Sequence, residues 1–162
     1  MSAPVVPRWS SSRLAVRAVA QDAKASFFSG DFVQALQLYV KGHAIMSAFG
    51  NAGYDEAIEG TILHNIASCL HNLNELSEAQ EWYGRAIVAF RAKHPGFLSK
   101  LVNGDLNEKR IGFSEERMAR AAQGLPPTDE YLDSSGRKAA SPADRLKGGA
   151  NRRQDLWGTQ AS

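Results

Sequence analysis

The feature that most constrains this chain is a pattern that occurs twice, 44 residues apart. One copy is AKASFFSGDFVQALQLYVKG, Ala23–Gly42, and the other is ASCLHNLNELSEAQEWYGRA, Ala67–Ala86. With Ala35 laid on Ala79, Ala23 falls on Ala67, Phe27 on His71, Phe32 on Leu76, Tyr39 on Tyr83 and Gly42 on Ala86. Gly30 falls on Asn74, and both residue types tolerate a left-handed backbone. Each copy therefore predicts a helix, a tight turn and a second helix. Small residues at 23/67 and 35/79 let antiparallel helices approach closely. Bulky residues at 32/76 and 39/83 fill the space between hairpins, and small 42/86 accepts the next helix.

Helical periodicity extends this pattern in both directions. Val16, Val19, Ala23 and Phe27 predict a first helix over 12–28, closed by Gly30. Asp31 with Gln34 has the spacing of a capping box and opens a second helix to about Phe49. Gly50, Asn51 and Gly53 break the chain, and Ile62, Ile66, Leu70 and Leu73 predict a third helix over about 54–72. Ser77 with Gln80 reads as a second capping box for a fourth helix to about Lys93. Pro95-Gly96 interrupts again. The stretch 97–123 is helical but thinner in apolar residues and more charged, with Gly112 a place to kink, and Gly124 and Pro126-Pro127 end it.

On these residues the chain resembles the tetratricopeptide repeat (TPR) family, whose small–large pattern usually spans 34 residues. The resemblance covers roughly 16–90. The longer offset here resembles the longer repeats of the kinesin light chain type, with the excess around FGNAGYDEAIE. Val19 and Leu63 stand where the family has an early aromatic. The fold it implies is an all-α solenoid of two helical hairpins plus a C-terminal capping helix, with flexible arms. The domain organisation expected is an N-terminal arm over 1–12, a helical domain over 13–124, and a basic, mostly disordered tail over 125–162.

In this family the first helix of each hairpin lines a concave groove. The resemblance thus implies a partner-binding face of Arg17, Gln21 and Lys24, then Thr61, His64, Asn65, Ser68, His71 and Asn72, joined by some of Lys100, Asn103, Asn107 and Arg110. The face is polar and cationic, suited to a peptide backbone and to carboxylates. Asn65 falls on an asparagine of the family's chaperone-tail carboxylate clamp. Ala20 and Lys24 depart from the clamp's expected lysine and asparagine, so chaperone tails are not the expected ligand.

Composition and charge narrow the function further. The net charge of +2 conceals balance over 1–94 and an excess over 134–162, where six bases face Asp144 and Asp155. Cys69 is the only cysteine, which excludes an internal disulfide and reads as a packing residue. His64 and His71 are seven apart, not the four of a metal-binding helical pair, and read as polar surface. There is no glycine-rich phosphate loop and no GxSxG, so no enzyme, metal or cofactor is expected. Residues 134–162 hold few apolar side chains to offset ordering entropy. Tyr131-Leu132 and Leu156-Trp157 are the large apolar anchors of the tail. Leu156, Trp157 and Trp9 are the candidate anchors for a partner. The tail lacks the interleaved aromatics of a nucleic-acid binder, and no run of apolar residues is long enough to cross a membrane.

The function these readings imply is a non-enzymatic protein–protein interaction module or adaptor that binds a partner peptide or helix in its groove. The alternative is a structural subunit of a large assembly, such as a ciliary axoneme or a mitochondrial complex, held by its terminal arms. The expected location is cytoplasmic, with a cytoskeletal or ciliary association within that reading. Mitochondrial import is the alternative raised by Arg8, Arg13 and Arg17 with no acid before Asp22.

Overall fold

The chain is helical, as its periodicity predicts. The computed structural model describes residues 8–49, 56–92, 97–128, 131–132 and 138–139. Five helices follow one another: α1 (Arg8–Ser29), α2 (Phe32–Phe49), α3 (Glu56–Asn72), α4 (Leu76–Ala92) and α5 (Phe97–Ala122). Two short strands, β1 (Tyr131–Leu132) and β2 (Lys138–Ala139), pair antiparallel, with Tyr131 opposite Ala139. α1 packs along α2 and α3 along α4; α2 and α3 join the two pairs, and α5 lies on α4.

The turns explain why the helices pair this way. Gly30 has φ +85° and Asn74 has φ +64°, the left-handed conformation expected at both positions. At the first turn the Gly30 N–H donates to Phe27 O and the Asp31 N–H to Ser26 O. At the second, Asn74 donates to His71 O and Glu75 to Leu70 O, the same two bonds 44 residues on. Gly124, with φ +69°, closes α5 in the same manner, donating to Ala121 O while Leu125 donates to Arg120 O. α1, α3 and α5 thus end alike, and two of the three endings lead directly into a further helix.

The capping expectations divide. Asp31 Oδ1 accepts the Gln34 N–H at 3.0 Å, which satisfies one of the orphan donors of α2. The second cap is not Ser77. Glu75 takes that position, its carbonyl accepting the Ala79 N–H at 2.9 Å as Asp31's accepts that of Ala35. The reason is geometric: the left-handed Asn74 makes the next residue, Glu75, the cap, so α4 opens at Leu76 and Ser77 lies exposed within its first turn. α1 also begins earlier than expected, at Arg8, and α5 runs through Gly112 without a break.

The core follows the small–large pattern. Ala23, Ala35, Ala67, Ala79 and Ala86 are fully buried, with Tyr39 and Tyr83 filling the space beside them. Ile62 of α3 lies against Gly42, where an added methyl would rest 3.7 Å from its Cδ1. A closer approach occurs at Gly60, where a methyl would come within 2.3 Å of the Phe90 ring. A second cluster of Leu63, Ala86, Phe90 and Phe113 ties α5 to the second hairpin. Each large apolar side chain buried in this way contributes roughly 1.5–3 kcal/mol. α5 also presents Glu108, Lys109, Glu115 and Glu116 to solvent, with Glu115 paired to Arg91 of α4. α3 is the central helix, and every residue from Gly60 to His71 is buried.

Candidate functional site

A cleft of about 460 Å³ opens between α1 and α3. Arg17, Gln21 and Lys24 lie on one face of α1, at spacings of four and three residues, and form one wall. Thr61 and Asn65, one turn apart on α3, form the other, with Ile58 and Ile62 beside them. Tyr39 and Tyr131 also contribute. Arg17 and Gln21 are exposed, Lys24 is half-buried, and Thr61 and Asn65 are buried. Among the described residues the cleft is lined by the cations Arg17 and Lys24 and by no carboxylate. Two acceptors on its α3 wall, Thr61 Oγ1 and Asn65 Oδ1, are buried and have no hydrogen-bond partner.

Tyr131 reaches the cleft from beyond α5. Its hydroxyl lies 2.5 Å from that of Tyr39 and accepts a 3.1 Å hydrogen bond from Asn65 Nδ2. Its ring stands 5.2 Å from Phe27 and 4.9 Å from Phe28, and Lys24 Nζ sits 5.8 Å from its centroid. The contact is buried, and burial, with the neighbouring phenol second, pushes the Tyr39 hydroxyl far above the ordinary tyrosine range. The Tyr39 phenol therefore stays protonated at any physiological pH. Residues leading to Tyr131 are held as well: His71 Nε2 pairs with Leu125 O at 2.8 Å, and Arg120 Nε donates to Pro126 O at 2.9 Å. The packed helical unit, expected to end at residue 124, thus takes in Tyr131.

The face predicted to line the groove splits into two environments. Arg17, Gln21, Lys24, Thr61 and Asn65 come together at the cleft. His64, Ser68 and His71 do not; they are interior, and the expectation that the two histidines are polar surface is corrected. The cause is coverage of α3 by α5 and by the segment after it. His64 Nδ1 pairs with Ser114 Oγ at 2.8 Å, and its ring stacks on Phe113 at 5.1 Å. Ser114 Oγ in turn donates to Arg110 O, so the His64 Nδ1 carries the proton. Burial, then the Arg117 charge, holds the His64 pKa well below its ordinary value. Ser68 Oγ and His71 Nδ1 each lie 3.3 Å from the Tyr83 hydroxyl. Burial lowers the His71 pKa in the same direction. Asn72 is half-buried and donates to Ser68 O.

The remaining expected site residues fall elsewhere. Arg110 is buried and donates to Asn107 Oδ1. Trp9 belongs to the first turn of α1 rather than to a separate arm; its side chain, and those of Lys100 and Asn103, lie outside the described residues. Leu156 and Trp157 lie outside them altogether. Cys69 is fully buried, and burial pushes its thiol well above the usual range, in keeping with a packing role. Among the described residues no group of three His, Cys, Asp or Glu side chains is placed to hold a metal, and no helix is long and apolar enough to cross a membrane. Sequence reasoning noted Tyr131 as an apolar anchor but did not place it at the groove. Its one local signal is a large aromatic in a segment otherwise poor in apolar side chains. No family model matches the chain, and no curated protein or solved structure matches it either.

Proposed function

We infer that this chain is a non-enzymatic protein-interaction module, with its two hairpins and α5 stacked as a short TPR-like solenoid, and that the α1–α3 cleft binds an extended, acid-bearing segment of a partner protein. The observation that carries this reading is the pairing of unmet acceptors with positive charge. Thr61 Oγ1 and Asn65 Oδ1 line the cleft, buried and unpartnered. Leaving such groups unmet costs about 1–3 kcal/mol each. A peptide's backbone N–H groups are donors of the kind they lack, and Arg17 and Lys24 attract its carboxylates. The repeated turns at Gly30 and Asn74 support the solenoid reading.

Binding rather than chemistry is supported by where the reactive side chains lie. His64 is packed between Phe113 and Tyr83, and Cys69 is enclosed in the core. The test is selection of displayed random peptides on the full chain, followed by Kd measurement for the enriched sequences. Acid-rich peptides should be enriched, and Arg17→Ala with Lys24→Ala should weaken them at least tenfold, with a steep loss of affinity in salt. Enrichment without acids, or unchanged affinity in the double variant, would refute the reading.

A further inference from the structure

The cleft is already partly filled by the chain itself, and what fills it is chemically specific. The Tyr131 ring packs against both Phe27 and Phe28, at the separations of favourable aromatic pairs. Its hydroxyl meets two partners from different helices, Tyr39 of α2 and Asn65 of α3. A phenylalanine would fill the same space but leave both of these groups without their bond. The pocket is therefore built for a phenol, and it opens directly into the positively lined cleft.

The described residues leading from α5 towards Tyr131, Leu125 to Thr128, lie near the surface. Leu125 and Pro126 are exposed and Pro127 and Thr128 half-buried, and the carbonyls of Leu125 and Pro126 accept from His71 and Arg120. Tyr131 is a buried side chain beyond the end of α5, in the two-residue strand that pairs with Lys138–Ala139. Such an anchor can leave without unpacking a helix. In sequence it sits in LPPTDEYLD, residues 125–133, with acids on both sides. That is the charge expected to suit the Arg17 and Lys24 wall.

From this we propose that Tyr131 is a built-in plug, and that the pocket of Phe27, Phe28, Tyr39 and Asn65 is a tyrosine-reading subsite for the partner. The ligand class is an extended acidic peptide bearing a tyrosine, which enters when the chain's own tyrosine leaves. The proposal rests on the cleft being a peptide site, and adds to it both the residue read and the competitor that guards it. A short tether gives an effective concentration of the order of 1 mM, so a tethered segment whose own Kd for the pocket is ~100 µM holds back any competing peptide about tenfold in the intact chain.

The experiment uses the full chain and a fluorescein-labelled LPPTDEYLD peptide, read by anisotropy. Tyr131→Ala should bind the probe about tenfold more tightly than the unmodified chain. The same peptide with alanine for tyrosine should gain nothing from that change. Adding Tyr39→Phe to Tyr131→Ala should reverse part of the gain. Circular dichroism checks that the helices persist. If Tyr131→Ala loses them, Tyr131→Phe is read instead, and it should bind the probe several-fold more tightly than the unmodified chain. No gain in the folded variant overturns the proposal. An equal gain for the tyrosine-free acidic peptide also overturns it, while leaving the cleft as a peptide site. Failure of every acidic peptide to bind any variant removes both.

Discussion

The hydroxyls of Tyr39 and Tyr131 lie 2.5 Å apart although the residues are 92 positions apart in the chain. One belongs to the repeated small–large pattern and the other to a segment with no helical periodicity. Their contact joins the first hairpin to the chain beyond α5. Tyr39→Phe keeps the ring and removes the bond, leaving Tyr131 its contact with Asn65. The expected loss is about 1 kcal/mol in urea unfolding. An unchanged midpoint would mean that the phenol pair contributes nothing.

Gly60 should tolerate no side chain. A methyl there would stand 2.3 Å from Cε1 and 2.5 Å from Cδ1 of Phe90, an enclosed ring in the cluster that holds α5. Gly60→Ala should destabilise by about 1–3 kcal/mol despite alanine's better helix propensity. Gly60→Ala with Phe90→Leu should recover part of that loss, which separates a clash from a backbone effect.

Asn74 is the one described non-glycine residue with positive φ. Asn74→Gly should be neutral or slightly stabilising, whereas Asn74→Ala should cost about 1 kcal/mol. The two thermal unfolding curves settle this by their order. Alanine matching glycine would mean that the turn relaxes to another conformation.

Acid should weaken the fold through His64. Burial and the Arg117 charge hold it neutral in the folded chain, whereas the unfolded chain binds a proton near pH 6.5. Because its folded pKa is depressed, the unfolded state takes up protons first. Stability is therefore full above pH 6.5 and falls as pH drops below it, with a slope of at most about 1.4 kcal/mol per pH unit for one group. His71 shifts the same way, but its bond to the Leu125 carbonyl opposes the shift and it adds less. Unfolding free energies measured between pH 7.5 and 5 should show this slope, and His64→Gln should flatten it. An equal slope in the variant would place the titration elsewhere.

Cys69 should be silent to thiol reagents while the protein is folded. It is fully buried and its thiol is held protonated by burial. As the only cysteine, it gives a clean probe: labelling should follow global unfolding, with equal midpoints in urea by labelling and by circular dichroism. Rapid labelling without denaturant would show a local opening of α3.

Much of the helical framework is legible in the sequence because its causes are local. Gly30 and Asn74 are where a chain of L-residues turns most cheaply. Asp31 caps α2 because its carboxylate is three residues from an orphan amide. The alanines at 23, 35, 67 and 79 are small where helices meet. The Ser77 cap failed for a local reason as well: its spacing to Gln80 is correct, but the turn before it puts the cap at Glu75, one position after Asn74, and the start of α4 at Leu76.

What the sequence alone determined, then, is the helices, their turns and the small–large packing within each hairpin, all governed by neighbours a few residues apart. Only the tertiary structure decided which polar side of α3 stays open. His64 and Asn65 are adjacent and equally polar, yet one pairs with Ser114, 50 residues on, and the other with Tyr131, 66 residues on. The side chains of α3 carry no mark of which will be covered. Whether a polar group faces water or a buried partner depends on where distant chain returns, and that is set by the packing of α5 and the reach of Tyr131 rather than by any local pattern.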